Sequence, residues 1–266
     1  MEAETHRNGP NGNGQRVIVD VKAGVMTGFE LKYLALEPFM PALHQKARVE
    51  LKRLTEKYDE SPNILDVGGR KSHYTIGVHG HITITDLPRE TALQRALNLG
   101  LTMQMRSQIV SRRSNVERVV FDDMTDSHLP DSEFNLVIAV EVLEHVQEDA
   151  KFISEVHRVL KPGGSLFMTT PNGEVVKNTN PDHKRHYLRK DLYALLRTVF
   201  EDVRIEYAIP GGPFYARGLR SWSLRHPLRT LNTMVSAYVS AIQAAGREVP
   251  ERASDTNQLI AWAIKQ

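Results

Sequence analysis

A chain of 266 residues can bury one substantial core and still carry extra elements, and its 41% hydrophobic and 25% charged residues are ordinary for a soluble globular protein. A formal net charge of +2 supplies no global field for nucleic acid or another polyanion, and the absence of cysteine excludes disulfides, iron–sulfur ligation and thiol nucleophiles. No signal-peptide pattern opens the chain and no apolar run approaches the ~20 residues of a membrane span, so the expectation is a cytoplasmic protein without a transmembrane segment.

Residues 1–15 are rich in Gly and Asn and nearly devoid of apolar side chains, which predicts a disordered tail. Residues 16–60 read as an N-terminal helical segment or cap. Beyond Pro41, Leu43, Ala47, Leu51 and Leu54 recur at helical spacing. From Asn63 short apolar runs with β-branched residues alternate with helical stretches. ILDV (64–67), ITIT (82–85), RVVF (118–121), LVIAV (136–140) and SLFMT (165–169) suit strands buried on both faces of a parallel sheet. Between the last two, Phe152, Ile153, Val156, Val159 and Leu160 share one face of a helix over 148–160, which stops at Lys161-Pro162-Gly163-Gly164. A helix at 188–199 and a strand at 203–209 follow. This order predicts a doubly wound α/β sheet with helices on both faces and right-handed crossovers. The domain runs over 61–266: a core at 61–208, an insertion at 209–250 and a last strand at 257–264.

The insertion is unusual. From Tyr207 through Gly246 there is no Asp or Glu, while Arg217, Arg220, Arg225 and Arg229 are present. Leu228, Leu231, Val235, Tyr238 and Ile242 form an apolar helical stripe. We expect this helix to pack on the core or against a second subunit, with contact to a membrane surface as the alternative. GGPFYARGLRSW (211–222) reads as a lid over an apolar or anionic acceptor.

In open α/β sheets, ligands bind beyond the carboxyl ends of the strands. Gly68 and Gly69, after the first strand, occupy that position, and three cofactor readings compete for them. A P-loop needs Gly directly before Lys71, where Arg70 stands, and another where Leu65 stands. A dinucleotide loop counted from Gly68 needs glycine at the places of Arg70 and His73. S-adenosylmethionine carries no phosphate and asks less of the loop: room for an amino acid and a sulfonium against backbone. Asp86, about 20 residues beyond the first strand's acid, is placed to accept hydrogen bonds from both ribose hydroxyls.

The fragments ILDVGG, TDLP, DDMTDSHLPDSEFNLVIAVEVLEHV and HRVLKPGGSLFMTTPNG, in this order and spacing, resemble the class I S-adenosylmethionine-dependent methyltransferases of the small-molecule, type 11 group over roughly residues 60–208. The resemblance implies a Rossmann-like, mostly parallel sheet with an antiparallel last strand, S-adenosyl-L-methionine as cofactor, and methyl transfer, O-methylation foremost, to a small-molecule, sugar or lipid-linked acceptor. It implies a cofactor site of Asp66, Gly68, Gly69, Asp86, Leu87, Asp123, Met124 and Glu141. Asp123 would accept from the adenine amino group and Met124 would border the ring. Glu141, Leu143 and His145 would line the methyl-donating side. The departure is in the opening loop, where the family reads D-x-G-x-G-x-G and this chain has Arg70 and Ser72 at the second and third glycines. That departure carries the alternative function, a catalytically degenerate binding or scaffold protein.

For proton removal the candidates are His145, Glu141 and His186, with His183 beside them in PDHKRHY (181–187). A metal site on His183 and His186 lacks a further His or a paired carboxylate close by, beyond Asp182, so no metal is assigned. No nucleic-acid module is recognisable, and the expected partners are a small-molecule acceptor and a second copy of the chain.

Overall fold

The computed structural model describes residues 25–245 and 255–266; the tail expected at 1–15 lies outside the described residues. In chain order the elements are α1 (Gly28–Leu36), α2 (Ala42–Thr55), β1 (Asn63–Val67), β2 (His81–Asp86), α3 (Ala92–Ala96), α4 (Met103–Arg112), β3 (Val116–Phe121), β4 (Phe134–Val140), α5 (Asp149–Val159), β5 (Leu160–Pro171), α6 (Arg189–Leu196), β6 (Asp202–Pro210), α7 (Pro213–Gly218), α8 (Pro227–Ala245) and β7 (Thr256–Ile264).

All seven strands form one sheet in the order β3-β2-β1-β4-β5-β7-β6. Pairing is parallel from β3 through β5, and β7 runs antiparallel between β5 and β6. The alternation of side chains along a strand divides the core between the two faces. Leu65, Val137, Ala139, Leu166 and Met168 meet Phe152, Ile153 and Val156 of α5 and Leu192 and Leu196 of α6. Ile64, Leu136, Ile138 and Phe167 meet Leu43, Ala47, Leu51 and Leu54 of α2. Phe152, Ile153, Val156 and Val159 are buried at helical spacing, each worth about 1.5–3 kcal/mol of transfer free energy. The α2 segment, read from sequence as a cap, thus completes the core. Its Arg48 also reaches down to hold the chain after the glycine turn, donating to the carbonyls of Tyr74 and Ile76.

Short helices α1, α3 and α4 have no strong apolar stripe and are set by their first turns. Thr27 and Glu30 form a reciprocal cap on α1, Thr91 and Gln94 do the same on α3, and Thr102 caps α4.

The insertion corrects one expectation. The apolar stripe of α8 does not pack on the core: Leu228, Leu231, Val235, Tyr238 and Ile242 are all exposed, from 46% to 83%. The face that packs inward is small and polar, with Thr233, Ser236, Ala237 and Ser240 buried. The reason is close approach. A Cβ on Gly218, at the end of α7, would lie 2.9 Å from the Cα of Ala237, so α7 and α8 meet backbone to backbone where a leucine would not fit.

Candidate active site

The carboxyl ends of β1, β2 and β4 meet where the strand order reverses, between β1 and its neighbours β2 and β4. After β1 the chain turns at Gly68, whose φ of 67° is left-handed. A Cβ there would lie 2.9 Å from Cγ2 of Val142, just beyond β4, and one on Gly69 would fall 2.5 Å from the Asp66 carboxyl carbon. Both positions therefore need glycine for close packing, Gly69 buried over Asp66 and Gly68 exposed at the end of β1. Beneath them Asp66 is fully buried, accepts from Tyr74 Oη at 3.3 Å and leaves Oδ2 without a partner. Burial pushes its carboxyl up to about 7.

The two residues that replace family glycines behave differently. Ser72 turns inward: it is buried, and its hydroxyl donates to the Gly69 carbonyl at 2.6 Å, tying the loop to itself. Arg113, from the end of α4, donates to the Ser72 carbonyl at 3.3 Å and to Thr75 Oγ1 at 2.7 Å. Arg70 instead crosses toward the end of β2. Its guanidinium donates to the Asn98 carbonyl, and its Nε stands 3.7 Å from Asp86 Oδ2, close enough for ion pairing but too far for a hydrogen bond. Burial raises the Asp86 carboxyl and Arg70 opposes that shift. Its other oxygen accepts from the Leu87 amide at 2.9 Å, and the Leu87 side chain is 44% exposed at the rim.

Beyond β3, Asp123 is exposed and its Oδ1 is taken up by the amide and hydroxyl of Thr125, at 2.9 and 2.8 Å. Met124 is buried in the core. The neighbouring Asp122, passed over in the sequence, is buried with Oδ2 unpartnered; its amide donates to the Asp86 carbonyl at 3.3 Å.

The opposite wall starts at Glu141, whose left-handed φ of 55° aims the chain out of β4. Its carboxylate accepts from Thr169 Oγ1 at 3.0 Å and from Gln258 Nε2 at 3.1 Å. Gln258 also donates to Tyr215 Oη at 3.2 Å, which links α7 of the insertion to this wall. Tyr215, Gln258 and Thr169 were missed in the sequence, and no motif marks them. Burial raises Glu141 to about 7. Glu144, at 0% exposure, is raised well above the carboxylate range by burial and then by Glu141; Thr170 Oγ1 donates to its Oε2 at 3.2 Å, and Oε1 has no partner.

The histidines of the sequence reading converge here. The Lys184 amide donates to the Glu144 carbonyl at 2.7 Å and draws the 181–187 loop against the 143–145 turn. His145 Nδ1 lies 2.5 Å from Asp182 Oδ2, His183 Nδ1 lies 2.8 Å from His186 Nε2, and His186 Nδ1 lies 2.8 Å from the Val176 carbonyl. Burial, then the neighbouring imidazoles, lower His183 to about 4.

Comparison with known proteins agrees with this arrangement. The family model described as "Methyltransferase domain" matches residues 76–168, from below the altered loop to β5. Over 155 residues the chain is 30% identical to a protein named "Probable S-adenosylmethionine-dependent methyltransferase" in Mycobacterium tuberculosis, covering 56% of this chain and 53% of that one. A similarly named protein of Mycolicibacterium smegmatis is 33% identical over 109 residues, 39% of this chain and 41% of the relative. The chain thus spans about half the length, or less, of these curated relatives. A crystal structure of a SAM-dependent methyltransferase from Thermotoga maritima superposes with a TM-score of 0.53 at 14% identity, covering 84% of this chain and 91% of that one, which shows the fold. Fold and site together define a Rossmann-like domain with its ligand cleft at the β1–β2–β4 switch. Within it residues 76–168 match the methyltransferase-domain family, and the chain is similar over about half its length to proteins named as S-adenosylmethionine-dependent methyltransferases.

The residues at β1 and β2 fit that cofactor. Asp66 offers a buried, unpartnered oxygen, the left-handed turn at Gly68 exposes backbone at the end of β1, and Asp86 presents at the end of β2 a carboxylate held by the Leu87 amide and a long ion pair to Arg70.

Proposed function

We propose that the protein transfers a methyl group from S-adenosylmethionine to a hydroxyl of a small-molecule, sugar or lipid-linked acceptor. When bound, the cofactor supplies an electrophilic methyl on a sulfonium and so needs no further activation. The observation that carries the reading is the pairing of the exposed, left-handed Gly68 turn after β1 with Asp86 one strand away. Asp86 accepts the ribose hydroxyls once Arg70 swings aside, Leu87 covers the base, and Asp123 with Met124 borders it. The turn at Gly68 and Gly69 sets the donor's position, and orientation of this kind supplies up to ~7–11 kcal/mol in well-ordered models. Glu141 and His145 face the acceptor and take its proton, His145 being oriented by Asp182; His186 acts through His183. Such proton transfer is worth ~10²–10⁴ in rate.

The insertion supports an acceptor with an apolar part. The exposed α8 stripe lies beside Arg217, Arg220, Arg225 and Arg229, all exposed, with no acid between Tyr207 and Gly246. We assign this face to an anionic lipid surface. Co-flotation with anionic vesicles should be lost in Leu228→Ser/Leu231→Ser/Val235→Ser, whereas a concentration-dependent dimer abolished by the same changes would replace that assignment with self-association.

The function itself is tested by incubating the protein with methyl-labelled cofactor and fractionated cell extract. One organic fraction should gain label with wild type and lose it with Glu141→Gln. Label transfer that is indifferent to Glu141 would contradict the assigned wall.

A further inference from the structure

Glu144, His145 and His183 present ligand-capable atoms that all lie within 4.8 Å of one another. From this we propose that the protein holds one divalent transition-metal ion of zinc type on the acceptor side of the cleft. The sequence reading had counted His183 and His186 as a pair short of ligands. The fold supplies two more groups from the 143–145 turn, because the Lys184 amide pins the loop to the Glu144 carbonyl.

The hydrogen bonds around the cluster fix which nitrogens remain. The Val176 carbonyl can only accept, so His186 Nδ1 carries the proton and its Nε2 is a lone pair. His183 Nδ1–H therefore donates to His186 Nε2, and His183 Nε2 is left as a free lone pair. His145 Nδ1–H donates to the Asp182 carboxylate, leaving its Nε2 free as well. A histidine ligand whose other nitrogen donates to a carboxylate or to another acceptor is the usual support of a metal site, since it sets tautomer and ring orientation together. Asp182 and His186 fill that role. The two rings stand edge to face with centroids 4.6 Å apart.

A second observation is independent of the histidines. Glu144 is completely buried, yet its Oε1 has no partner, and it shares the site with the like-charged Glu141. A buried carboxylate in that position requires a proton or a cation. Two imidazole nitrogens and one carboxylate oxygen with positions left open suit zinc, cobalt or iron(II), whereas magnesium takes oxygen ligands and water. Metal–ligand distances of ~2.0–2.2 Å place tetrahedral ligand atoms roughly 3.3 Å apart, so closure from the present spacing asks only for small side-chain rotations.

The consequence for catalysis rests on the methyl-transfer reading. An ion here would bind the acceptor oxygen and lower the pKa of its hydroxyl. The proton then passes to Glu141 and on to solvent. The oxygen's lone pair forms the O–CH3 bond as the S–CH3 bond breaks, and the sulfonium becomes a neutral thioether. In that arrangement His145 holds the ion, and Glu141 takes the proton.

The test needs no cofactor, so its outcome is separate from the outcome for methyl transfer. Untagged full-length protein, stripped with chelator, is titrated with Zn2+ by calorimetry and with Co2+ by visible absorption. One ion should bind per chain, and Glu144→Gln and His183→Ala should each weaken it by at least ~10-fold, the scale of lost metal-site groups. His81→Ala, at the start of β2 and the opposite end of the sheet, should leave binding unchanged. Circular dichroism checks that Glu144→Gln keeps the fold; His183, in a half-buried loop, serves if it does not. Absence of stoichiometric Zn2+ and Co2+ binding, or binding indifferent to both variants, would overturn the site and leave the cluster as a pin for the 181–187 loop.

Discussion

The two walls of the cleft are built in opposite ways. The wall we assign to the cofactor comes from consecutive chain, β1 to β3, and relies on backbone: a tightly packed Gly68-Gly69 turn, one buried acid beneath it and one at the next strand end. The wall we assign to the acceptor gathers Glu141 and Glu144 from the end of β4, Thr169 from β5, His183 and His186 from a loop, Tyr215 from α7 and Gln258 from β7. A wall of backbone tolerates few changes anywhere, whereas a wall of distant side chains can be altered one member at a time. Variants on the first should therefore change cofactor affinity, together with folding where the glycine turn or its buried acid is altered, and variants on the second should change turnover while sparing cofactor affinity.

The largest expected effect is on pH. Asp66 has its folded-state pKa raised to about 7 by burial, above the ~3.9 of an unfolded Asp. The folded protein therefore keeps a proton that the unfolded chain has released. The associated stability is fully present below the unfolded value and is lost as pH rises through about 7. Asp66→Asn should remove this dependence, so that urea unfolding at pH 5 and pH 8 differs less than in wild type, by an amount on the order of a few kcal/mol at about 1.4 kcal/mol per unit. An equal difference in both proteins would show that Asp66 is ionised throughout.

Next comes Gly69→Ala. The added methyl meets the Asp66 carboxyl at 2.5–2.9 Å, and overpacking of that kind costs about 1–3 kcal/mol. Thermal unfolding should shift down and cofactor affinity should fall with it. On the other wall, Tyr215→Phe removes one side of the hydrogen bond from Gln258, worth about 0.5–1.5 kcal/mol. It should lower kcat several-fold and melting temperature by no more than ~2–6 °C while leaving cofactor Kd unchanged; a matching loss of cofactor affinity would place Tyr215 on the wrong wall. The smallest effect belongs to Arg70→Ala. Freed of its long ion pair, Asp86 should bind cofactor up to ~5-fold tighter, the range of a partly exposed pair. Weaker binding would mean that Arg70 holds the cofactor instead of competing with it.

The same contrast governs what the sequence disclosed. Strands β1 to β5 were legible because each carries a short apolar run, and buried parallel strands need no alternation to be recognised. Gly68, Asp66 and Asp86 were legible because their spacing is local. The orientation of α8 was not. Its stripe of Leu228, Leu231, Val235, Tyr238 and Ile242 signalled burial, but the close contact of Gly218 with Ala237 turned that stripe outward. Nor could spacing show that Arg70 would cross to Asp86 while Ser72 folded into its own loop. Glu144 was passed over beside His145, since it is the fold, through the Lys184 and Arg185 amides on the Glu144 carbonyl, that brings His183 to it. Gln258 reaches Glu141 across 117 residues of sequence, beyond the reach of any motif.

The central claim is that Asp86 grips the ribose of S-adenosylmethionine above the Gly68 turn. Calorimetric titration of wild type and Asp86→Ala with S-adenosylmethionine and its demethylated product tests it most directly. Loss of hydrogen bonds to a charged group, about 1.5–3 kcal/mol, should weaken one-to-one binding roughly 10- to 100-fold. Equal affinity in the two proteins, or no binding by wild type, would contradict it.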